Sequence, residues 1–147
     1  MDLRDFIAEN QELSEVTAKD IKIPTLPDIK NMPAIVGKIE INPTSTGGLQ
    51  MVVPLHYPAI APEAERKNLY MRINVQDASW FNGSHRDFVE GSKEQSAYRM
   101  SIGRFYRPLL QATGATLSTL GGQTVLVSAK DKDGGYEVSG IYPYKGE

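Results

Sequence analysis

The sequence predicts a mostly β fold with one main helix, on three observations. Apolar and polar residues alternate with a period of two from Ala34 onward, and runs rich in Gly, Pro, Asn and Asp separate the alternating stretches. One stretch, residues 102–112, changes to helical periodicity. The 147 residues suffice for one domain with its own core. The predicted order is three strands, one helix and two strands.

The first two predicted strands form a hairpin. The first runs from Ala34 to Ile41, residues 42–48 supply turn chemistry, and the second alternates from Leu49 to Tyr57. Pro54 lies inside the second strand and has no N–H for the ladder, which predicts an edge position or a bulge at that point.

The third predicted strand has the clearest alternation. The residues expected in the core are Leu69, Met71, Ile73 and Val75. The other face carries Tyr70, Arg72 and Asn74, which are expected to face solvent or a ligand. The apolar residues define the register, because a slip of one residue would exchange the two faces.

The helix is amphipathic when it is projected at about 100° per residue. Its apolar residues, including Phe105 and Tyr106, cluster on one side, while Arg104 and Arg107 lie opposite. Pro108 predicts a kink or a restart near Arg107. Gly114 predicts the C-terminal end. In the loop before the helix, Trp80 is expected to be buried.

The last two predicted strands, Thr124–Lys130 and Tyr136–Tyr142, flank a hairpin turn at residues 131–135. Five strands with a helix between the third and fourth is the plan of the OB-fold, a partly open barrel that binds oligonucleotides or oligosaccharides. A split α+β sheet with the same element order is the alternative. Residues 1–31 are predicted to form an acidic arm with a short helix near its start, and residues 32–147 the barrel domain.

Composition narrows the function classes. The absence of cysteine excludes thiolate chemistry, disulfides and zinc sites built on sulfur. The start of the chain does not resemble a signal peptide and no apolar run reaches membrane-spanning length, so we expect a cytoplasmic protein without membrane contact. The net charge is −2, yet residues 95–130 contain basic residues and no acidic one. This distribution permits a polyanionic partner.

Motifs for catalysis or cofactor binding fail on inspection. His85-Arg86-Asp87-Phe88 lacks the asparagine of a kinase catalytic loop, and residues 131–134 lack the later acidic positions of a calcium loop. The two histidines, His56 and His85, have no third metal ligand at a recognisable spacing. We therefore expect no cofactor, no metal and no enzymatic activity. A hydrolase built on scattered carboxylates is the weakest alternative.

The outward face of the third strand is the leading candidate site. The ring of Tyr70 offers a stacking surface for a base, the guanidinium of Arg72 can pair with a phosphate, and Asn74 can donate a hydrogen bond. The alternative is that this pair only packs across strands. The further candidates are His56 for stacking and Lys38, Arg104, Arg107, Lys130 and Lys132 for phosphates. The loops at residues 42–48 and 131–135 would border the groove.

Several segments resemble phage-encoded single-stranded-DNA-binding proteins of the OB-fold type. They are Ile23-Pro24-Thr25-Leu26-Pro27, the helix end Leu109–Gly114, Leu120–Val127 and Tyr136–Pro143. The resemblance runs from about Pro24 to Pro143 and implies a phage or prophage accessory protein of replication or recombination. Many such proteins end in an acidic tail that recruits partners. This chain departs from that pattern, so residues 1–20 are the alternative recruiting segment.

The predicted function is binding of single-stranded DNA without sequence preference. Stacking platforms accept RNA as well, so the choice between the two stays open. Phage or host replication proteins are the expected protein partners, and the oligomeric state is open, a dimer being compatible with the sequence. The rival function, from another class, is a phage structural or protein-interaction domain that uses residues 1–31 for docking.

Overall fold

A computed structural model describes residues 1–84 and 87–145. In this part of the chain, six strands form one open antiparallel sheet, and one main helix lies between the fourth and fifth strands. The strands are β1 (Ile29–Val36), β2 (Glu40–Pro43), β3 (Leu49–Tyr57), β4 (Lys67–Val75), β5 (Thr124–Lys132) and β6 (Gly135–Pro143). The predicted class, mostly β with one main helix, is confirmed.

The sheet has six strands instead of the predicted five because the first predicted strand is interrupted. β1 pairs with β3 up to Val36, and β2 pairs with β3 from Glu40 onward. Between these pairs, residues 37–39 lie opposite Val53 and Pro54 only. Three residues against two make a bulge, and a bulge bends the strand and increases its twist.

Pro54 lies in β3 opposite this bulge. Its carbonyl accepts a hydrogen bond from the Gly37 N–H at 2.8 Å. The side of the strand on which Pro54 lacks an N–H therefore faces the bend and not a regular ladder. A Cβ at Gly37 would collide with the imidazole of His56, so glycine permits this close approach. Of the two predictions for Pro54, the bulge is confirmed, whereas the edge position is wrong because β3 is paired on both sides.

β3 and β4 pair without a register shift from Leu49–Val75 to Tyr57–Lys67. All four apolar residues predicted to face the core from β4 are buried, namely Leu69, Met71, Ile73 and Val75. Tyr70, Arg72 and Asn74 are exposed. The predicted register of this strand is confirmed.

The other half of the sheet is built from β1, β5 and β6. β1 pairs with β5, and β5 pairs with β6 in a hairpin. The hairpin turns at Asp133 and Gly134, whose φ angles are 50° and 84°. Two consecutive positive φ angles are typical of a type I′ turn, which confirms the hairpin predicted at residues 131–135. Among the described residues β4 pairs only with β3, and β6 only with β5, so each has one open edge.

The main helix has three consecutive parts: α2 (Lys93–Tyr98), a π-helical stretch (Arg99–Tyr106) and α3 (Arg107–Thr113). Pro108 lies in the first turn of α3, where a missing N–H is tolerated. The wider winding before it relieves the clash between the proline ring and the carbonyl four residues earlier. The predicted restart is confirmed, as is the end at Gly114, which has a φ of 65°.

The hydrophobic core lies between the sheet and the main helix. Trp80 belongs to it with 3% exposure, and its ring contacts that of Tyr98 at a centroid distance of 5.1 Å. The predicted burial of Trp80 is confirmed. Tyr106 is also buried, and its hydroxyl donates a hydrogen bond to the Phe81 carbonyl at 2.7 Å. Burial raises the pKa of Tyr106 above its usual 10.0.

The segment before the sheet contains the predicted short helix, α1 (Leu3–Glu9), which buries no residue. β1 begins at Ile29, so residues 29–31 of the predicted arm belong to the sheet. The division into arm and domain stays a prediction. Short 3-10 turns lie at Gln11–Leu13, Ala18–Asp20, Glu63–Glu65, Ala78–Trp80 and Leu117–Thr119. Over residues 1–84 and 87–145, every helix is too short or too polar to cross a bilayer.

Candidate nucleic-acid interface

A cleft of about 320 Å³ lies between β4 and the β5–β6 hairpin, above the π-helical stretch. Its aromatic rings belong to Tyr70, Phe105 and Tyr136, and its charged groups to Arg72, Lys132 and Glu137. Strand geometry explains the β4 side, because Met71 points into the core and its two neighbours therefore point outward. The cleft brings together three of the predicted site residues, Tyr70, Arg72 and Lys132.

Tyr70 and Arg72 contact each other on the outer face of β4. The Arg72 Cζ lies 5.5 Å from the centroid of the Tyr70 ring, which is a cation–π distance. The Tyr70 side chain is 45% exposed. No carboxylate of the described residues forms a salt bridge with Arg72. The pair therefore presents an accessible aromatic surface and an uncompensated positive charge at one position.

Lys132 is on the opposite side of the cleft, where its charge is partly compensated. Its Nζ lies 3.1 Å from Glu137 Oε2, and the two side chains are 61% and 38% exposed. An ion pair this exposed contributes about 0–1 kcal/mol to stability. With two cations and one carboxylate, the lining of the cleft has a net charge of +1.

The N-terminal segment reaches the domain beside this cleft. Asp131 Oδ2 accepts a hydrogen bond from the Leu26 N–H at 3.1 Å, and the Tyr136 hydroxyl donates one to the Pro27 carbonyl at 2.7 Å. Because Tyr136 also lines the cleft, Leu26 and Pro27 lie at the margin of the cleft.

A second groove, of about 460 Å³, lies on the surface of the main helix. Arg99, Arg104 and Arg107 line it, together with Gly103 and two partly or fully buried residues. The Arg104 Cζ lies 5.3 Å from the centroid of the Phe105 ring. Since Phe105 lines the cleft and Arg104 lines the groove, this contact joins the two depressions.

Four predicted site residues lie outside both depressions, namely His56, Lys38, Lys130 and Asn74. His56 is half-buried, and its Nδ1 lies 2.6 Å from Asn68 Oδ1. This contact holds the imidazole by its edge, in a separate pocket of about 230 Å³ that also contains Glu63. Lys38 is exposed at the bend between β1 and β2, and Lys130 is exposed on β5.

The two loops expected to border the groove lie at different sites. The hairpin at residues 131–135 contributes Lys132 to the cleft. Residues of the 42–48 loop instead line another cavity, of about 420 Å³, with Asn74. The Asn74 Oδ1 accepts a hydrogen bond from Gln50 Nε2 at 3.0 Å. Asn74 is thus already engaged across the β3–β4 ladder.

No family model, curated protein or solved structure matches this chain. Support for the candidate interface therefore comes from the arrangement of its side chains alone. Among residues 1–84 and 87–145, no three or more His, Cys, Asp or Glu side chains are arranged to hold a metal ion. His85 and Arg86, which the motif search considered, lie outside the described residues.

Three interface residues are not identified by the sequence patterns. The helical projection places Phe105 on the core side, which is confirmed because the ring packs against the core, but it does not predict that the partly exposed ring also lines the cleft. Tyr136 stays unassigned because either face of the last strand can point inward. Arg99 stands out only as one of several basic residues. Pro108 is the signal that could have identified it, because a proline inside a helix indicates altered winding upstream.

Proposed function

We propose that this protein binds single-stranded DNA without sequence preference. The observation that supports the proposal is the Tyr70–Arg72 pair at the cleft, where a guanidinium without a salt bridge lies over an exposed aromatic ring. Stacking on such a ring requires only the π face that every base has, so the expected binding does not depend on sequence.

Each group of the cleft has a role in this proposal. One base stacks on Tyr70, and the partly exposed ring of Phe105 supplies a second apolar surface below it. Arg72 and Lys132 contact phosphates from the two sides of the cleft. Glu137 offsets one of these charges, so affinity depends on salt less steeply than in a heavily basic protein. RNA can use the same contacts, so the experiment below compares oligo-rU with oligo-dT.

We also propose that the sheet is a partly open OB-fold barrel. The bent strand β1–β2 pairs with both β3 and β5, and residues of the two outer strands, β4 and β6, line one cleft. This pairing order supports a barrel that is open between β4 and β6. Lys38, His56, Asn74 and Lys130 remain predicted contacts on other parts of its surface.

Within this proposal, the biological role is that of a phage or prophage accessory protein in replication or recombination, acting in the host cytoplasm. Replication proteins of the phage or host are the proposed protein partners. The resemblance found in the sequence supports this role, and the cleft supports the underlying binding activity.

The rival function is a protein-interaction domain, and one observation favours it. Apolar residues before the sheet are exposed, including Leu3 at 72%, Ile21 at 58% and Ile23 at 68%. Exposed apolar residues in a segment outside the sheet are typical of docking segments. A chain that docks through this segment and binds no oligonucleotide would have this function instead.

Fluorescence polarisation of labelled oligo-dT, beside its duplex and oligo-rU, tests the proposal. We expect tighter binding to the single strands than to the duplex, and weaker binding as salt concentration rises. Equal or tighter binding to duplex would contradict the single-strand proposal. Salt-insensitive binding, or none, would favour the protein-interaction rival.

A further inference from the structure

We propose that the arginine groove of the main helix is a second phosphate-binding track, which continues the cleft and holds the backbone of the same single strand. This proposal rests on the proposed binding of single-stranded DNA. It adds a site and a direction: the strand leaves the Tyr70 side of the cleft across Phe105 and continues along the helix.

The charge of the groove is the first support. Arg99, Arg104 and Arg107 line it, no carboxylate does, and none of the three arginines has a salt bridge within the described residues. From residue 95 to residue 130 the sequence contains no Asp or Glu. Its lining therefore has a net charge of +3, against +1 for the cleft. Most of the positive charge available for phosphates is on the helix.

The winding of the helix brings two of these arginines, Arg99 and Arg104, closer to one face. In a regular α-helix, Arg99 and Arg104 would be separated by about 140° around the axis, on different faces. The structure has Arg99–Tyr106 in π-helical winding, in which hydrogen bonds join residues five apart. At about 4.4 residues per turn, that separation falls to about 50°. Pro108, which favours the wider winding, thus indirectly brings Arg99 and Arg104 toward one face.

The contact between Arg104 and Phe105 supports continuity between the two depressions. The guanidinium lies over the ring, with Cζ 5.3 Å from the centroid, and such stacking reduces the freedom of a long side chain. The ring belongs to the cleft and the guanidinium to the groove. A strand stacked in the cleft therefore meets an oriented cation where it leaves.

Gly103 provides space for a backbone to approach. Apart from its chain neighbours and the adjacent helix backbone, a Cβ built at this glycine has no heavy atom within 4 Å, so the middle of the groove is open. The position is helical and has no need of a positive φ. Its lack of a side chain costs helix stability, and close approach of a ligand backbone is a use that glycine serves.

The experiment compares short and long oligonucleotides. Oligo-dT of about 6 nucleotides is expected to occupy the cleft alone, and one of about 20 nucleotides to reach the groove, since one OB-fold binds about 4–16 nucleotides. The test variant combines R99A, R104A and R107A. The control combines K67A, K93A and K145A, which removes the same charge from exposed positions outside the groove. Thermal unfolding verifies that each variant is folded.

We expect the arginine variant to bind the long oligonucleotide on the order of ten-fold more weakly, with binding of the short one nearly unchanged. Its salt slope for the long oligonucleotide should be smaller by about 2, corresponding to three phosphate contacts at about 0.7 each. The control variant should lose less affinity for the long oligonucleotide, and its salt slope should fall by less. An arginine variant that binds the long oligonucleotide like the wild type, or like the control, would overturn the track.

A second variant leaves the charges in place. Gly103→Leu adds a bulky side chain to the groove, whereas Gly103→Ala adds only a methyl group, and the Cβ that both add lies in open space. We expect Gly103→Leu to weaken binding of the long oligonucleotide selectively and Gly103→Ala to do so much less. Equal affinity of Gly103→Leu and Gly103→Ala for the long oligonucleotide would overturn the proposed track, even if the arginine variant does not fold. If the wild type binds neither oligonucleotide, the proposed function itself fails, which is a separate result.

Discussion

Arg72 lies over the ring of Tyr70 on the outer face of β4, with its Cζ 5.5 Å from the ring centroid. Between them in sequence, Met71 is 3% exposed and belongs to the core. The inward-facing residues of β4 therefore contribute to stability, and the outward-facing residues carry the proposed binding. Substitutions along this strand can test the two independently.

Ile73→Ala should destabilise the protein by about 2–5 kcal/mol, because it removes a side chain that is 1% exposed and leaves a cavity. Tyr70→Ala and Arg72→Ala should change the free energy of unfolding by about 0.5 kcal/mol or less. Chemical denaturation of the three variants measures this contrast. If the outer-face variants unfold while Ile73→Ala is stable, the assignment of the two faces is incorrect.

Tyr70→Ala should weaken oligo-dT binding by roughly 1–3 kcal/mol, since it removes a stacking surface. Tyr70→Phe should retain the affinity, because the ring remains. Tyr142→Ala is the matched control, since Tyr142 is 48% exposed against 45% for Tyr70 and lies near the far end of β6. Titration by fluorescence polarisation checks all three. Equal losses in Tyr70→Ala and Tyr142→Ala would argue against a specific stacking site.

Arg72→Ala should weaken binding to all oligonucleotide sequences alike and lower the salt slope by about 0.7, the value for one phosphate contact on a single strand. Lys67→Ala removes an equal charge from the start of the same strand, outside the cleft, and should leave the slope nearly unchanged. Binding isotherms at several salt concentrations measure both slopes. A sequence-dependent loss would show that Arg72 contacts bases.

Tyr106→Phe should destabilise the protein by about 1–3 kcal/mol, because the Phe81 carbonyl loses its hydrogen-bond donor in a buried site. The pKa of Tyr106 is raised in the folded state by burial, so folding favours the neutral hydroxyl. The stability that the neutral Tyr106 hydroxyl contributes is fully present below the unfolded pKa of 10.0. It is lost as pH rises through the higher pKa of the folded state.

Alkaline unfolding measures this second effect. The wild type should lose stability above about pH 10, and Tyr106→Phe should lose less over the same range. Part of the loss should persist in the variant, because burial, with Tyr136 nearby, also raises the pKa of Tyr57. Tyr144→Phe, at an exposed position, serves as the control. Identical pH profiles for wild type and Tyr106→Phe would contradict the prediction.

Deleting residues 1–21 should leave cooperative unfolding intact, because no residue of that segment is buried. Deleting residues 1–31 should destabilise the protein, since it removes Ile29, which is 8% exposed and pairs with Ala129. If the acidic segment competes with DNA, the shorter deletion should also tighten binding to oligo-dT. Denaturation and titration of both truncations check these outcomes. Loss of cooperativity in the shorter deletion would show that residues 1–21 complete the core.

By itself, the sequence determined the features that depend on local periodicity and turn chemistry. The alternation in β4 assigned Tyr70 and Ile73 to opposite faces, and residues 131–135 predicted the hairpin, because side-chain direction in a strand and positive φ angles are local properties. The tertiary structure alone decided which of these elements meet. Tyr70 and Lys132 line one cleft although 61 residues separate them in the sequence, and π-helical winding, not the 3.6-residue period, places Arg99 beside Arg104. Such proximities depend on packing between distant segments and on a change of helical period, and neither is encoded in the alternation of apolar residues.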